Sequence, residues 1–388
     1  MAGYDSELEQ IVAALNRAAP AARGAVPGAP AIPAAESAGA SIDRMLAYAV
    51  RRAASDLLIV AGAPVTLRVN GALASSGPVL TADDSRNLLL PLLTQKQHEE
   101  LQRAKAVDFC FTRESLGRFR ANLHHQRGTI AGSVRLLPGR VPTLESLHLP
   151  PALAQLAERR QGLVLVTGPA GSGKSSTLAA LIDLINTLRR DHVVTIEDPV
   201  EFVHANRSSI VEQIEVGSDA PDFATSVRSI LRQNPDVILV GEMRDPETIA
   251  TVLTAAETGH LVFSTLHTND ASQTISRILD SFPSGNQPQI RQQLSLALLA
   301  VIAQQLVPSS DGARYPVVEL LLATSAVRNL IRRGEDHQLY TRISTARAEG
   351  MITMEQSLAG LVRSGKLARE TAFAHCFRPE ELRAYLQE

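Results

Sequence analysis

The residues Gly168-Pro169-Ala170-Gly171-Ser172-Gly173-Lys174-Ser175 fit the pattern G-x-x-x-x-G-K-[ST] at every fixed position. The chemistry of such a run is phosphate binding. Glycines let backbone N–H groups turn inward around phosphate oxygens, and a helix starting just afterwards adds partial positive charge. The lysine neutralises the β- and γ-phosphates, and the hydroxyl after it ligates Mg²⁺. Here those groups are Lys174 and Ser175. The motif carries meaning only between a strand and a helix. Leu163–Thr167 reads as the strand and Ser176–Leu188 as the helix. The expectation is an ATP site formed by Gly168, Pro169, Ala170, Gly171, Ser172, Gly173, Lys174, Ser175 and Ser176, with Mg²⁺ as its cation. The competing reading, an ordinary Gly-rich turn, leaves strand, lysine, serine and helix unexplained.

Three further segments have side chains suited to hydrolysis. The first is Thr195-Ile196-Glu197-Asp198-Pro199-Val200-Glu201, directly after a strand. The second is Asp236 to Asp245, in which Val237–Val240 reads as a buried strand and Glu242 falls just beyond it. The third runs from Thr258-Gly259-His260 through a strand to Ser264-Thr265-Leu266-His267-Thr268. In open parallel sheets ligands sit outside the carboxyl ends of the strands. The sheet is thus expected to gather Glu197, Glu242 and His267 around the γ-phosphate. Singly, each has a bland reading: a solvated loop glutamate, a structural histidine. Their joint occurrence behind a complete phosphate loop favours the functional one.

The elements that must position these groups are legible from periodicity. Strand runs at Leu163–Thr167, Val193–Ile196, Val237–Val240 and Leu261–Ser264 are short, continuous stretches of Val, Ile and Leu. Such runs suit a parallel sheet buried on both faces. Beyond Gln289 the pattern reads as mostly helical up to Leu386. Upstream, Ile42, Met45, Leu46, Ala49 and Val50 make one apolar helical stripe. Leu57–Val60 and Val65–Val69 read as strands, with Asn70-Gly71 as a hairpin turn. Thr81 with Asp84 forms a capping box for a helix through Leu89. Val107–Thr112, Phe119–Leu123 and Ile130–Leu136 read as strands, which makes an α+β domain. Residues 5–18 read as a short amphipathic helix, and 19–40, almost all Ala, Pro and Gly, as a flexible linker. The expected organisation is 1–40 helix and linker, 41–138 N-terminal domain, 139–146 interdomain linker and 147–388 ATPase domain.

Composition excludes other classes. The net charge of −2 leaves no bulk attraction for nucleic acid or anionic lipid, and there is no Trp. Two cysteines, Cys110 and Cys376, cannot build a disulfide framework or a four-cysteine zinc site, and read as small buried residues. No apolar run is long enough to span a bilayer, and the start lacks the basic and apolar sequence of a signal peptide. The expectation is a soluble intracellular protein.

With these residues in hand, the chain resembles the PilT-type ATPases of bacterial type IV pili, within the larger secretion-system ATPase family. The resemblance runs from about Ile42 to the C-terminus. Besides the four segments above it includes Ala54-Ser55-Asp56-Leu57, Arg118-Phe119-Arg120 with Arg127, Ala326–Arg332, and Gly350-Met351 with Thr353-Met354. It implies a PAS-like N-terminal domain, a RecA-like P-loop domain with helical C-terminal part, and a homohexameric ring. It implies Glu197 as the glutamate that polarises the attacking water and Glu242 as the Walker B glutamate that holds Mg²⁺ through water. His267 becomes the γ-phosphate sensor. Arg120, Arg127 and Arg135 lie where the family carries arginines that reach the nucleotide, Arg127 and Arg135 being preferred as fingers. The implied function is pilus retraction in twitching motility, with an inner-membrane platform protein as partner, other pilus ATPases as further partners, and a place at the cytoplasmic face of that membrane.

The chain departs from the family in residues 1–40, in Leu58 where an ASDLH-type sequence has His, in Ala170 for Thr, and in Ser264 for Gly. None removes a phosphate, magnesium or water-positioning group. The alternatives left open are a PilU-like accessory retraction ATPase, an assembly or type II secretion ATPase, a catalytically idle nucleotide-binding ring, and a RecA-like nucleic-acid motor.

Overall fold

The computed structural model describes residues 42–309 and 312–387. The helix expected over 5–18 and the linker expected over 19–40 lie outside them. The chain divides into two compact units between Leu136 and Leu137.

In the first unit, α1 (Ile42–Arg51) buries Ile42, Met45, Leu46 and Ala49 of the stripe read from the sequence; Val50 is exposed instead, and Tyr48 is buried beside them. Strands β1 (Asp56–Ile59), β2 (Pro64–Val69) and β3 (Ala72–Val79) follow. Asn70 at φ 50° and Gly71 at φ 81° join β2 to β3 in the tight turn their types demand. Thr81 accepts from the Asp84 N–H and the Asp84 carboxylate accepts from the Thr81 N–H, so α2 (Ala82–Leu89) starts at a complete capping box. Next come α3 (Gln95–Ala104), β4 (Ala106–Arg113), β5 (Gly117–Gln126) and β6 (Thr129–Leu136). The six strands form one antiparallel sheet in the order β3-β2-β1-β6-β5-β4. Alternation sets its faces: Phe119, Ala121 and Leu123 of β5 are buried, and Arg120 lies on the opposite face.

The second unit opens with a short α4 (Ala154–Ala157) and β7 (Gly162–Thr167), then α5 (Lys174–Leu188), β8 (His192–Glu197), β9 (Ile210–Glu215), α6 (Phe223–Ile230) and β10 (Val237–Val240). It continues through α7 (Pro246–Glu257), β11 (Leu261–Leu266), α8 (Ala271–Asp280), α9 (Gln287–Ala297), β12 (Leu298–Pro308) and β13 (Arg314–Leu322). Helices α10 (Ser325–Arg333), α11 (Leu339–Thr345), α12 (Met354–Arg363), α13 (Arg369–His375) and α14 (Pro379–Gln387) complete it. The sheet order is β13-β12-β7-β11-β10-β8-β9, parallel throughout except for β13 against β12. Both faces are covered. Leu163, Leu165, Ile238, Val240 and Val262 pack into one apolar layer; Val164, Val166, Val193, Leu239 and Phe263 pack into the other. That double burial is why these strands are continuous apolar runs.

The sequence departs from expectation after Gln289. Leu298–Pro308 and Arg314–Leu322 form strands inside a region read as mostly helical. A continuous apolar run such as Leu298–Ala303 fits a buried helix and a buried strand equally by periodicity, and pairing with β7 decides for the strand. Cys110 and Cys376, expected to be buried, are only half-buried.

Replacing Thr81 by Ala removes both the cap acceptor and its bond to Asp84, and is expected to cost about 1 kcal/mol in chemical unfolding of the full chain. Thr81→Ser, which keeps the oxygen, should recover most of it.

Candidate functional site: a phosphate loop at the carboxyl edge of a parallel sheet

The P-loop joins the end of β7 to α5, and its shape is set by what surrounds it. Gly168 stands at φ 141°, where a Cβ would lie 2.1 Å from the Gln304 carbonyl oxygen and 2.7 Å from Ser172 Oγ. No side chain fits there. Gly173, at φ 91°, precedes the helix and offers no side-chain cap. The first N–H groups of α5 thus meet no capping group of the protein's own, the arrangement that binds phosphate. Lys174 Nζ donates to the carbonyls of Gly168 at 2.7 Å and Pro169 at 3.0 Å, so the ammonium sits across the loop. Burial lowers its pKa, and the charges of Glu242 and Glu201 oppose that shift. Those two carboxylates are therefore close enough to act on the lysine.

The strands bring the other groups to the same edge. Thr167 pairs with Leu266, Ser264 with Val240, and Val240 with Ile196, so β7, β11, β10 and β8 end nearly level. His267 follows β11, Glu242 follows β10, and Glu197 ends β8. Glu242 accepts from Arg244 Nη2 at 2.5 Å, and His267 Nε2 lies 3.6 Å from its other oxygen. Ser264 Oγ donates to the Val240 carbonyl at 2.8 Å and Thr265 Oγ1 to the Gly241 carbonyl at 2.6 Å. These bonds fasten the segment that carries Glu242 to β11. The unusual Ser264 therefore supplies a bond across the sheet that a glycine cannot make.

Glu197 has different surroundings. One carboxylate oxygen accepts from Thr195 Oγ1 at 2.7 Å and from Gln213 Nε2 at 3.1 Å. Gln213 also donates to the Phe202 carbonyl at 2.9 Å, which fixes its amide. Burial raises the Glu197 pKa; the two hydrogen bonds lower it, and the charges of Glu201 and Glu215 raise it. A raised carboxyl pKa makes a better acceptor of a proton near neutrality.

The N-terminal unit holds the arginines. Arg135 of β6 pairs across the sheet with Asp56 on one side and Arg120 on the other. Asp56 receives Arg135 Nε at 3.1 Å and Arg68 Nε at 3.3 Å. Arg127 is exposed at the β5–β6 turn, at φ 47°.

The sequence did not reveal Gln304, which lies in β12 and is 4% exposed. Its amide nitrogen donates to the Ser172 carbonyl at 2.7 Å, and its amide oxygen accepts from Thr177 Oγ1 at 2.8 Å. With its own carbonyl against Gly168, this residue braces both ends of the P-loop. The signal was a polar side chain inside an apolar run, and it becomes readable only when β12 is known to lie beside β7. Gln213 was hidden likewise, on the edge strand β9, which sequence periodicity did not bring out.

Gln304→Ala leaves Thr177 Oγ1 and the Ser172 carbonyl buried and unpaired. Each such loss is typically worth about 1–3 kcal/mol, so ATP affinity should fall by roughly tenfold or more, measured by nucleotide titration of the folded protein. Unchanged affinity would show that the loop holds its shape without this brace.

Two curated relatives match this chain over nearly their whole length. Residues 149–313 match the family described as "Type II/IV secretion system protein". The chain is 42% identical over 340 residues to the type IV pilus retraction ATPase PilT of Pseudomonas aeruginosa, covering 87% of this chain and 99% of that one. It is 38% identical over 347 residues to the type IV pilus ATPase PilU of the same organism, covering 89% and 91%. The solved structure of the pilus retraction motor PilT with bound ADP superposes with a TM-score of 0.84 at 43% identity, covering 89% of this chain and all of that one. The fold is accordingly an N-terminal PAS-like α+β domain and a RecA-like P-loop domain with a helical C-terminal part. Phosphate loop, acidic strand ends and near-complete coverage of the retraction enzyme agree: this chain is an ATPase and belongs to the PilT-type pilus retraction ATPases of the type II/IV secretion system family.

Proposed function

We propose that this ATPase works as a homohexameric ring that retracts type IV pili and so powers twitching motility. The observation that carries the proposal is the identity to PilT across 99% of that protein's length, together with a P-loop that keeps every phosphate-binding group. The residues fit a magnesium nucleotide. Gly168 leaves room only for backbone, α5 begins without a side-chain cap, and a serine hydroxyl with a carboxylate is the hard oxygen set Mg²⁺ prefers. Lys174 and the N–H groups of Gly168–Ser176 would hold the phosphates. Ser175, and Glu242 through water, would hold Mg²⁺, which supplies charge neutralisation at the transferring phosphoryl group.

In this reading Glu197 orients and deprotonates the attacking water, with Thr195 and Gln213 fixing the oxygen that does not face it. His267, 3.6 Å from Glu242, reports the presence of the γ-phosphate to the segment that starts α8. Arg127 and Arg135 act as arginine fingers when the N-terminal domain closes on a nucleotide, and Arg120 lies beside Arg135 in the sheet. A finger spreads transition-state charge and contributes roughly 10³- to 10⁵-fold in rate. The ring works on an inner-membrane platform protein from the cytoplasmic face, and no nucleic acid takes part. No helix among the described residues is long and apolar enough to cross a membrane. The second reading is an accessory retraction ATPase alongside another pilus ATPase, motivated by the 38% identity to PilU.

Lys174→Ala and Glu242→Ala should each lower kcat by about two orders of magnitude or more in purified protein. Normal hydrolysis by the Glu242 variant would refute that assignment. In cells, deletion of the gene should leave surface pili in place, often in excess, and abolish twitching. Loss of surface pili would instead identify an assembly motor, and intact twitching would overturn the retraction role.

A further inference from the structure

Glu319 is a buried acid that the phosphate chemistry does not use. It lies in β13 and is 3% exposed. It stands opposite Ala303 of β12, and Ala303 is paired in turn with Thr167, the residue before the P-loop. One carboxylate oxygen accepts from the Ala271 N–H at 2.9 Å, in a buried position. That N–H is the first of α8, the helix that starts just after His267.

Other groups at the start of α8 are bonded locally. The Asp270 side chain caps the Gln273 N–H at 2.7 Å, and Thr268 and Thr274 share a buried hydroxyl bond of 2.7 Å. The tie through Glu319 satisfies the first N–H of the helix from a strand distant in sequence. It fastens the segment carrying His267 to a strand on the far side of the P-loop. A neutral acceptor would meet the hydrogen-bonding need of one N–H, so the choice of a carboxylate calls for another reason. An ionised group also draws on the positive end of the helix.

The groups that face Glu319 come from each neighbouring element. Asp270 lies at the start of α8, Glu355 in α12, and Arg378 just before α14. Glu355 is itself buried, accepting from the Arg378 N–H at 3.1 Å, the Phe377 N–H at 3.3 Å and the Tyr340 hydroxyl at 3.2 Å. Burial pushes the Glu319 carboxyl up to about 7; the Ala271 N–H opposes this, Asp270 and Glu355 add to it, and Arg378 opposes it.

We propose that Glu319 is a positioning residue for ATP turnover: anchored in β13 and bonded to the first N–H of α8, its carboxylate holds the His267–Asp270 segment against the phosphate site. The proposal rests on the reading of His267 as the γ-phosphate sensor. Its signature separates it from a structural role, because ionised Glu319 should help turnover and harm stability. A carboxyl whose pKa rises on folding from 4.5 to about 7 contributes stability that is full below the lower value and is lost as pH rises through the upper one.

The test uses the purified full-length chain, with ATPase kinetics and thermal melting at about pH 6 and about pH 8, on either side of the Glu319 titration. At the higher pH, Glu319→Gln should melt above the wild type yet turn over about tenfold slower, with KM for ATP within about twofold. At the lower pH, where the wild-type carboxyl is itself neutral, the two proteins should converge in both properties. Glu355→Gln removes a neighbouring like charge and should move the wild-type pH–rate midpoint to lower pH. The proposal is overturned if Glu319→Gln matches the wild-type kcat at the higher pH, if it loses kcat and melting temperature together at both pH values, or if KM carries the change. His267→Ala distinguishes the two layers of the reading. Full turnover in that variant sinks the sensor role and Glu319 with it. Lost turnover there, beside a wild-type-like Glu319→Gln, sinks only Glu319.

Discussion

A helix that begins with no side chain across its first N–H groups is the constraint on which this molecule turns. Helices α2, α3, α6, α7, α8, α10 and α12 are each capped by a Thr or Asp side chain. The 15-residue α5 has Gly173 in that place and no such bond. Its cap is left for an anion, and a loop that curls around that anion has to be made of backbone. Gly168 then meets the Gln304 carbonyl from β12, and Gln304 ties Ser172 to Thr177. The motif residues provide the donors, and a strand more than a hundred residues downstream keeps them aimed.

The two glutamates at the strand ends are told apart by their partners. Glu242 faces the Arg244 guanidinium and His267. Glu197 is held by a hydroxyl and an amide, neutral donors that orient it without cancelling its charge, while burial raises its pKa. A carboxylate that must take a proton gains from a raised pKa. The same residue type, on strands β10 and β8 that lie side by side, thus meets two environments, which suit the two different tasks proposed for them.

Legibility from sequence followed the range of the interactions. The P-loop, the Asn70-Gly71 turn and the Thr81–Asp84 capping box are local, and each is written within a few residues. The parallel strands were readable because burial on both faces leaves uninterrupted apolar runs. What stayed hidden depends on pairing between distant segments. Leu298–Pro308 becomes a strand by lying against β7, and Gln304 and Glu319 acquire their partners only then. The edge strand β9 is polar enough that no run marks it. The site's donors were therefore visible and its supports were not.

The two arginines proposed as fingers are held differently in the first unit. Arg135 shares Asp56 with Arg68, so leaving that pair would not strand Asp56 without a cation. Arg135 is exposed, whereas Asp56 is buried at 8% exposure. Arg127 bears a different cost. Its turn repeats the left-handed pair seen at Asn70-Gly71, with φ 47° and 76° at Arg127 and Gly128. Asn tolerates that conformation and Arg does so less readily, at roughly 1–2 kcal/mol. Asn or Asp would make the same turn with less strain, so folding alone does not call for Arg127. A long cation at an exposed hairpin tip has reach as its gain, the property that the proposed finger role would use.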